Sequence, residues 1–245
     1  MVRRTSPLLN VVTLAFAVPL AAFVYFLAAP ALPGLPAGDV TTIVCGGLGL
    51  VFVSATTLAL LPARETLIGP LLIILGCGLL VGALNSEGAQ GVGAGANVFE
   101  ALLASAVGLL LARFFEHPMS GVAVPLFAAA VDIASVWNGP SSRLLEGGTQ
   151  AADPLSFDLP AWGDAGSAGH LGVSDAVFLS VFASWAARYG FRLKTTLVGM
   201  VLGLLAALVL SLTLDRAIPA LPLIAAGYLL PNLDRIGRLL SNAKG

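Results

Sequence analysis

Three acidic side chains sit inside long apolar stretches of the chain: Glu100, Asp132 and Asp175. An ionisable group in hydrocarbon is costly and is retained for function or for a partner. Glu100 follows Asn97 by three residues near the end of its stretch, which reads as an interfacial carboxylate within reach of headgroup water. Asp132 (in FAAAVDIASVW) and Asp175 (in HLGVSDAVFLSVF) have apolar or small neighbours on both sides. Asp132 stands six residues before Asn138, and Asp175 five residues after His170. On two consecutive antiparallel helices, that spacing puts both carboxyls roughly 8–9 Å below the helix ends, at one depth. Two carboxyls brought close together share one proton and titrate as a unit. The ionised member then takes a proton from water while the protonated member polarises a carbonyl, so water adds to a peptide bond without a covalent intermediate. The same pair also suits a proton or cation relay, or hydrogen bonds to neighbouring helices.

The elements that must position these acids follow from composition. Of 245 residues, 58% are hydrophobic and 10% charged, with mean hydropathy +0.95. A soluble domain carries about 25% charged residues, so the solvent that fits this chain is a bilayer. A helix needs about 20 apolar residues to cross it. Eight segments approach that criterion: 8–31, 40–61, 67–84, 97–115, 119–137, 170–187, 195–214 and 218–230. The expected fold is therefore all-α, a polytopic transmembrane bundle of about eight spans with the dyad on two consecutive antiparallel helices. Residues 1–118 form N-terminal scaffold helices and 119–231 the catalytic helices, with a polar loop at 138–169. Residues 232–245 form an interfacial tail, with Leu233, Ile236, Leu239 and Leu240 on one helical face and basic residues elsewhere. The first segment follows Arg3-Arg4 and ends in small residues, as a signal peptide would, but its apolar run is long enough to be a retained helix.

Orientation follows from the basic residues of the loops. With the N-terminus inside, inner loops hold Arg3, Arg4, Arg64, Arg113, Arg188, Arg192, Lys194, Arg235, Arg238 and Lys244, and outer loops hold Arg143 and Arg216. Ten against two favours eight crossings in a cell membrane, with both termini cytoplasmic and loop 138–169 external. A last segment that failed to cross would change the count to seven against five. The Ala-, Gly-, Leu- and Arg-rich composition suggests a prokaryotic source.

Around the two aspartates the chain resembles the presenilin and signal peptide peptidase family of intramembrane aspartyl proteases. Three motifs carry the resemblance, in the family's order: Val131-Asp132, Gly172-Val173-Ser174-Asp175, and Pro219-Ala220-Leu221. It covers residues 119–231, and it implies catalysis by Asp132 and Asp175. It further implies that Gly172, Ser174, Pro219, Ala220 and Leu221 help hold the transmembrane helix of a substrate protein, unwound beside the dyad. Val131 stands where the family has Tyr, and Ser174 where it has Gly; the Ser174 hydroxyl could hydrogen-bond Asp175. Eight spans are one fewer than the family's nine, and the loop orientation matches the signal peptide peptidase branch.

Other features point to no further chemistry. Cys45 and Cys77 are isolated within apolar runs and read as packing residues. The run GAQGVGAGA (88–96) lacks the strand and Lys of a phosphate loop and reads as an outer turn. His117 and His170 flank helix ends at opposite membrane faces, and Trp137, Trp162 and Trp185 suit interfacial belts or loop packing. No cofactor, metal or nucleic-acid partner is expected, given a net charge of −1 and no basic stripe. The expected partners are the lipid bilayer and substrate helices, and nothing in the sequence fixes the oligomeric state. The alternatives are a proton-coupled transporter with the two aspartates as relay, a catalytically lapsed helix-binding homologue, and a prepilin-type peptidase, whose basic cytosolic loop beside the dyad is missing here.

Overall fold

The computed structural model describes residues 7–35, 38–84, 93–115, 117–138, 156–163, 167–214 and 216–242. Most of loop 138–169, with Arg143, lies outside the described residues, as do Arg3, Arg4, Lys244 and residues 88–92 of the glycine-rich run. The helices are α1 (Pro7–Ala28), α2 (Asp39–Leu60), α3 (Ile68–Leu84), α4 (Gly93–Phe114) and α5 (Ser120–Asn138). After them come α6 (Val173–Arg188), α7 (Leu193–Leu214), α8 (Leu221–Leu229) and α9 (Leu233–Asn242). A two-stranded sheet pairs β1 (Ser156–Pro160) with β2 (Ser167–Gly172).

Among the described residues the fold is thus all-α apart from one hairpin, with long apolar helices that make it an integral membrane protein. Eight helical spans are not what forms. Among the described residues, four helices are long and apolar enough to cross a membrane: Asp39–Glu65, Ala96–Phe114, Ser120–Trp137 and Leu193–Leu214. Ala15–Ala31 and Ile68–Ala83 are shorter apolar helices. The two remaining segments fall short for a physical reason. Residues 167–172 pair as a strand, so α6 starts at Val173 rather than His170 and has 16 residues. The last segment is helical for nine residues only, which at 1.5 Å each is roughly 14 Å, half a bilayer core. Large exposed apolar side chains recur at helical spacing, as Phe16, Leu20 and Val24 on α1 and Leu72, Leu75 and Leu79 on α3. Faces of that kind suit lipid.

The chain forms two compact units, Met1–Leu110 with Phe157–Ser180, and Leu111–Ser156 with Val181–Gly245. In the first, α2 and α4 are joined inside their apolar faces by a Thr57–Ser105 hydroxyl contact of 2.8 Å. The Ser180 hydroxyl donates to the Ser105 carbonyl at 2.6 Å, tying α6 to the same point. Such bonds join helices where lipid offers no competing water. The hairpin lies against α2 through β2, and Trp162 just after β1 donates its indole N–H to the Tyr25 hydroxyl of α1 at 3.2 Å.

In the second unit α7 and α8 run antiparallel with their backbones touching. A Cβ on Gly203 would meet the Leu223 carbonyl at 2.5 Å, and Gly199 and Gly227 lie directly against one another's carbonyls. Gly199 and Gly203 form a small-xxx-small seam, the pattern by which membrane helices approach closely. Asn232, fully buried, closes the seam. Its side chain accepts from the Arg192 N–H at 2.9 Å and donates to the Thr196 hydroxyl at 2.7 Å and the Tyr228 carbonyl at 2.8 Å. α8 therefore ends at the N-terminal end of α7. Trp185 is not a belt residue: it is wholly buried and donates to the Ala112 carbonyl at 3.1 Å.

Candidate functional site

Asp132 lies half-buried on α5, six residues before the helix ends at Asn138. Its Oδ2 accepts the backbone N–H of Leu221 at 2.9 Å, and the Ala220 N–H donates to the same carboxyl. The local sequence explains why those two amides need an acceptor. α8 starts with Ala220 at its cap position, which has no side-chain oxygen, and with Pro222 in the first turn. Pro222 has no N–H to satisfy. The N–H groups of Leu223 and Ile224 already reach the Ala220 carbonyl at 3.1 and 3.0 Å. What remains of the usual four orphan donors is the pair on Ala220 and Leu221, and Asp132 takes both. A carboxylate at a helix N-terminus also meets the positive end of the helix dipole.

The register fixes where along the helices this happens. Gly203 faces Leu223, Gly199 faces Gly227, and Thr196 bonds Asn232. Continued by two residues, that register sets Leu221 near residue 205 of α7, about nine residues or roughly 14 Å before its end at Leu214. Residues 216–220 are not helical, so Pro219-Ala220-Leu221 starts a half-helix partway along the apolar α7. Pro219 and Leu221 are buried and Ala220 half-buried.

Asp175 occupies the first turn of α6, in the other unit, and is half-buried with polar or electrostatic partners of its own. Because the helix starts at Val173, Asp175 stands two residues inside it, about 3 Å rather than the 8 Å that a start at His170 implied. β2 runs straight into α6, and the carboxyl folds back over that junction. A Cβ on Gly172 would come within 3.1 Å of Asp175 Oδ2, so glycine leaves room for that rotamer. Ser174 is exposed. The structure thus brings Asp132 to Pro219-Ala220-Leu221, and Asp175 to Gly172.

The remaining candidates have structural surroundings. Glu100 is half-buried on α4. His170 pairs with Asp158 across the hairpin at 2.6 Å, and His117 Nδ1 accepts the Met119 N–H at 3.2 Å. Cys45 and Cys77 are buried free thiols. Among the described residues no cluster of His, Cys, Asp or Glu could hold a metal. The glycine seam and the buried Asn232 were not singled out from the sequence, although Gly199 and Gly203 at a spacing of four were a legible signal. No family model, curated protein or solved structure matches the chain.

Proposed function

We propose that this membrane protein is an intramembrane aspartyl endopeptidase, cleaving transmembrane helices of other membrane proteins with Asp132 and Asp175 as its acids. The observation that carries the reading is the bond from the Leu221 amide to the Asp132 carboxyl. Two motifs 89 residues apart, which belong together in the presenilin and signal peptide peptidase family, meet at one carboxylate. In this reading one acid takes a proton from water as its oxygen attacks the scissile carbonyl carbon. The other acid protonates the carbonyl oxygen, and the C–N bond then breaks as the amine leaves with a proton. Substrate must be extended for this, since a helical amide is shielded by its own hydrogen bonds. β2 runs directly into the helix that carries Asp175, so an extended segment paired along it would approach that acid.

A second reading has an observation behind it as well. A half-helix start aimed at a carboxyl inside an apolar bundle is how many transporters build ion sites, and α8 has that form with Asp132. The two readings part on one assay. Purified full-length protein is reconstituted in liposomes with a single-span reporter, with and without a hydroxyl-bearing mimic of the tetrahedral intermediate. Cleavage inside the reporter's apolar segment, suppressed by the mimic, is the expected result. An intact reporter, together with proton flux that depends on Asp132, would replace the protease with the relay.

A further inference from the structure

Where α6 turns into α7, the second unit carries a basic recess that the proteolytic reading does not use. It is an open cavity of about 330 Å³ lined by Tyr189, Gly190, Arg235, Arg238 and Leu239. Its charge is unbalanced. Asp234 receives Arg192 through a fork of two bonds, at 2.6 and 2.9 Å, and Arg238 at 3.1 Å. Arg235, half-buried on the same helix, is paired with no carboxylate among the described residues. The guanidinium groups lining the recess are those of Arg235 and Arg238, and the carboxylate bonded to Arg238, that of Asp234, is shared with Arg192, so the recess is left positive.

The surroundings select the kind of anion. Arg192 immediately precedes the 22-residue apolar helix α7, so the recess lies at the end of a membrane span. α9 packs Ile236 against the protein, and Leu239 lines the recess together with the two arginines. Guanidinium groups match phosphate in geometry and charge, and the Leu239 side chain beside them, at the end of an apolar span, matches the start of an acyl chain. We propose that this recess binds the phosphate of an anionic phospholipid headgroup, with Arg235 as the principal cation, Arg238 beside it and the Tyr189 ring as a wall.

The test uses full-length protein in detergent and reads the unfolding temperature, since a ligand of the folded state raises it. The probes are soluble short-chain phosphatidylglycerol, the matching phosphatidylcholine, and inorganic phosphate. Phosphatidylglycerol should stabilise the protein, and phosphatidylcholine and inorganic phosphate should do so far less. Arg235→Gln, read against its own lipid-free baseline, should bind phosphatidylglycerol roughly tenfold more weakly, the order expected for one charge-assisted contact. Arg216→Gln, which removes the same charge elsewhere, should leave binding unchanged. Native mass spectrometry of the unaltered protein should show retention of phosphatidylglycerol over phosphatidylcholine, a readout independent of how the variants fold. Equal response to the two lipids, or an unchanged Arg235→Gln, would overturn the site. Inorganic phosphate binding as well as the lipid would overturn the lipid assignment.

Discussion

Asp132 has two roles available to it, holding the start of α8 and handling a proton, and substitutions can separate them. Asparagine keeps an oxygen that accepts the Leu221 amide, so Asp132→Asn should preserve the helix start and the unfolding temperature while losing any acid–base function. Alanine removes the acceptor and leaves two inward N–H groups unpaired, a loss of about 1–3 kcal/mol. Asp132→Ala should therefore unfold at lower temperature than Asp132→Asn, a comparison made by thermal denaturation in detergent. Equal stability of the two would mean that the contact carries no structural weight. A different acid makes a pH prediction. The Arg192 guanidinium holds the Asp234 carboxyl well below its usual range, at about 2. A folded-state value lowered in this way stabilises fully above the unfolded value of about 3.9 and is lost as pH falls through the folded one. The attachment of α9 should thus survive to about pH 4 and weaken between roughly 4 and 2. In Asp234→Asn that acid transition should be missing, as followed by the accessibility of a cysteine placed at Ser241.

At the scale of elements, α8 depends on the absence of side chains beneath it. Gly203→Leu would push a branched side chain into the Leu223 carbonyl, and overpacking of this kind costs about 1–3 kcal/mol. Because Leu221 would shift with its helix, reporter cleavage should fall along with the unfolding temperature. The same change at Gly76, whose Cβ position meets open space, should alter neither. The helices themselves were legible: apolar runs bounded by Pro, Gly and charge predict α1 to α5 and α7 within a few residues. The exceptions share a cause. Hydropathy measures transfer out of water and is indifferent to backbone conformation, so an apolar stretch reads alike as helix or extended chain. For that reason residues 218–220 and the strand residues 170–172 were read as parts of spans, and Asp175 was set too deep. The contact between Asp132 and Leu221 was suggested only by motif resemblance. The role of Asn232 depends on tertiary partners 36 and 40 residues away, which no local pattern encodes.

At the scale of the molecule, the antiparallel register of α7 and α8 returns the chain to the end of α7 at which it started, although α8 is only nine residues long. The non-helical residues 216–220 join the two helices. The basic loops predict an orientation with α9 on the cytoplasmic side. A cysteine at Ser156 in intact spheroplasts should react with an impermeant reagent and one at Ser241 should not; the reverse would invert the topology. The most direct test is the rate of reporter cleavage by the parent protein, Asp132→Asn, Asp175→Asn and the double variant, with Glu100→Gln as control and folding checked for each. Residues that act as a unit are strongly non-additive: either single change should abolish cleavage, the double should be no worse, and the control should stay near the parent rate. Substantial cleavage by either single variant, or its loss in Glu100→Gln alone, would contradict the dyad.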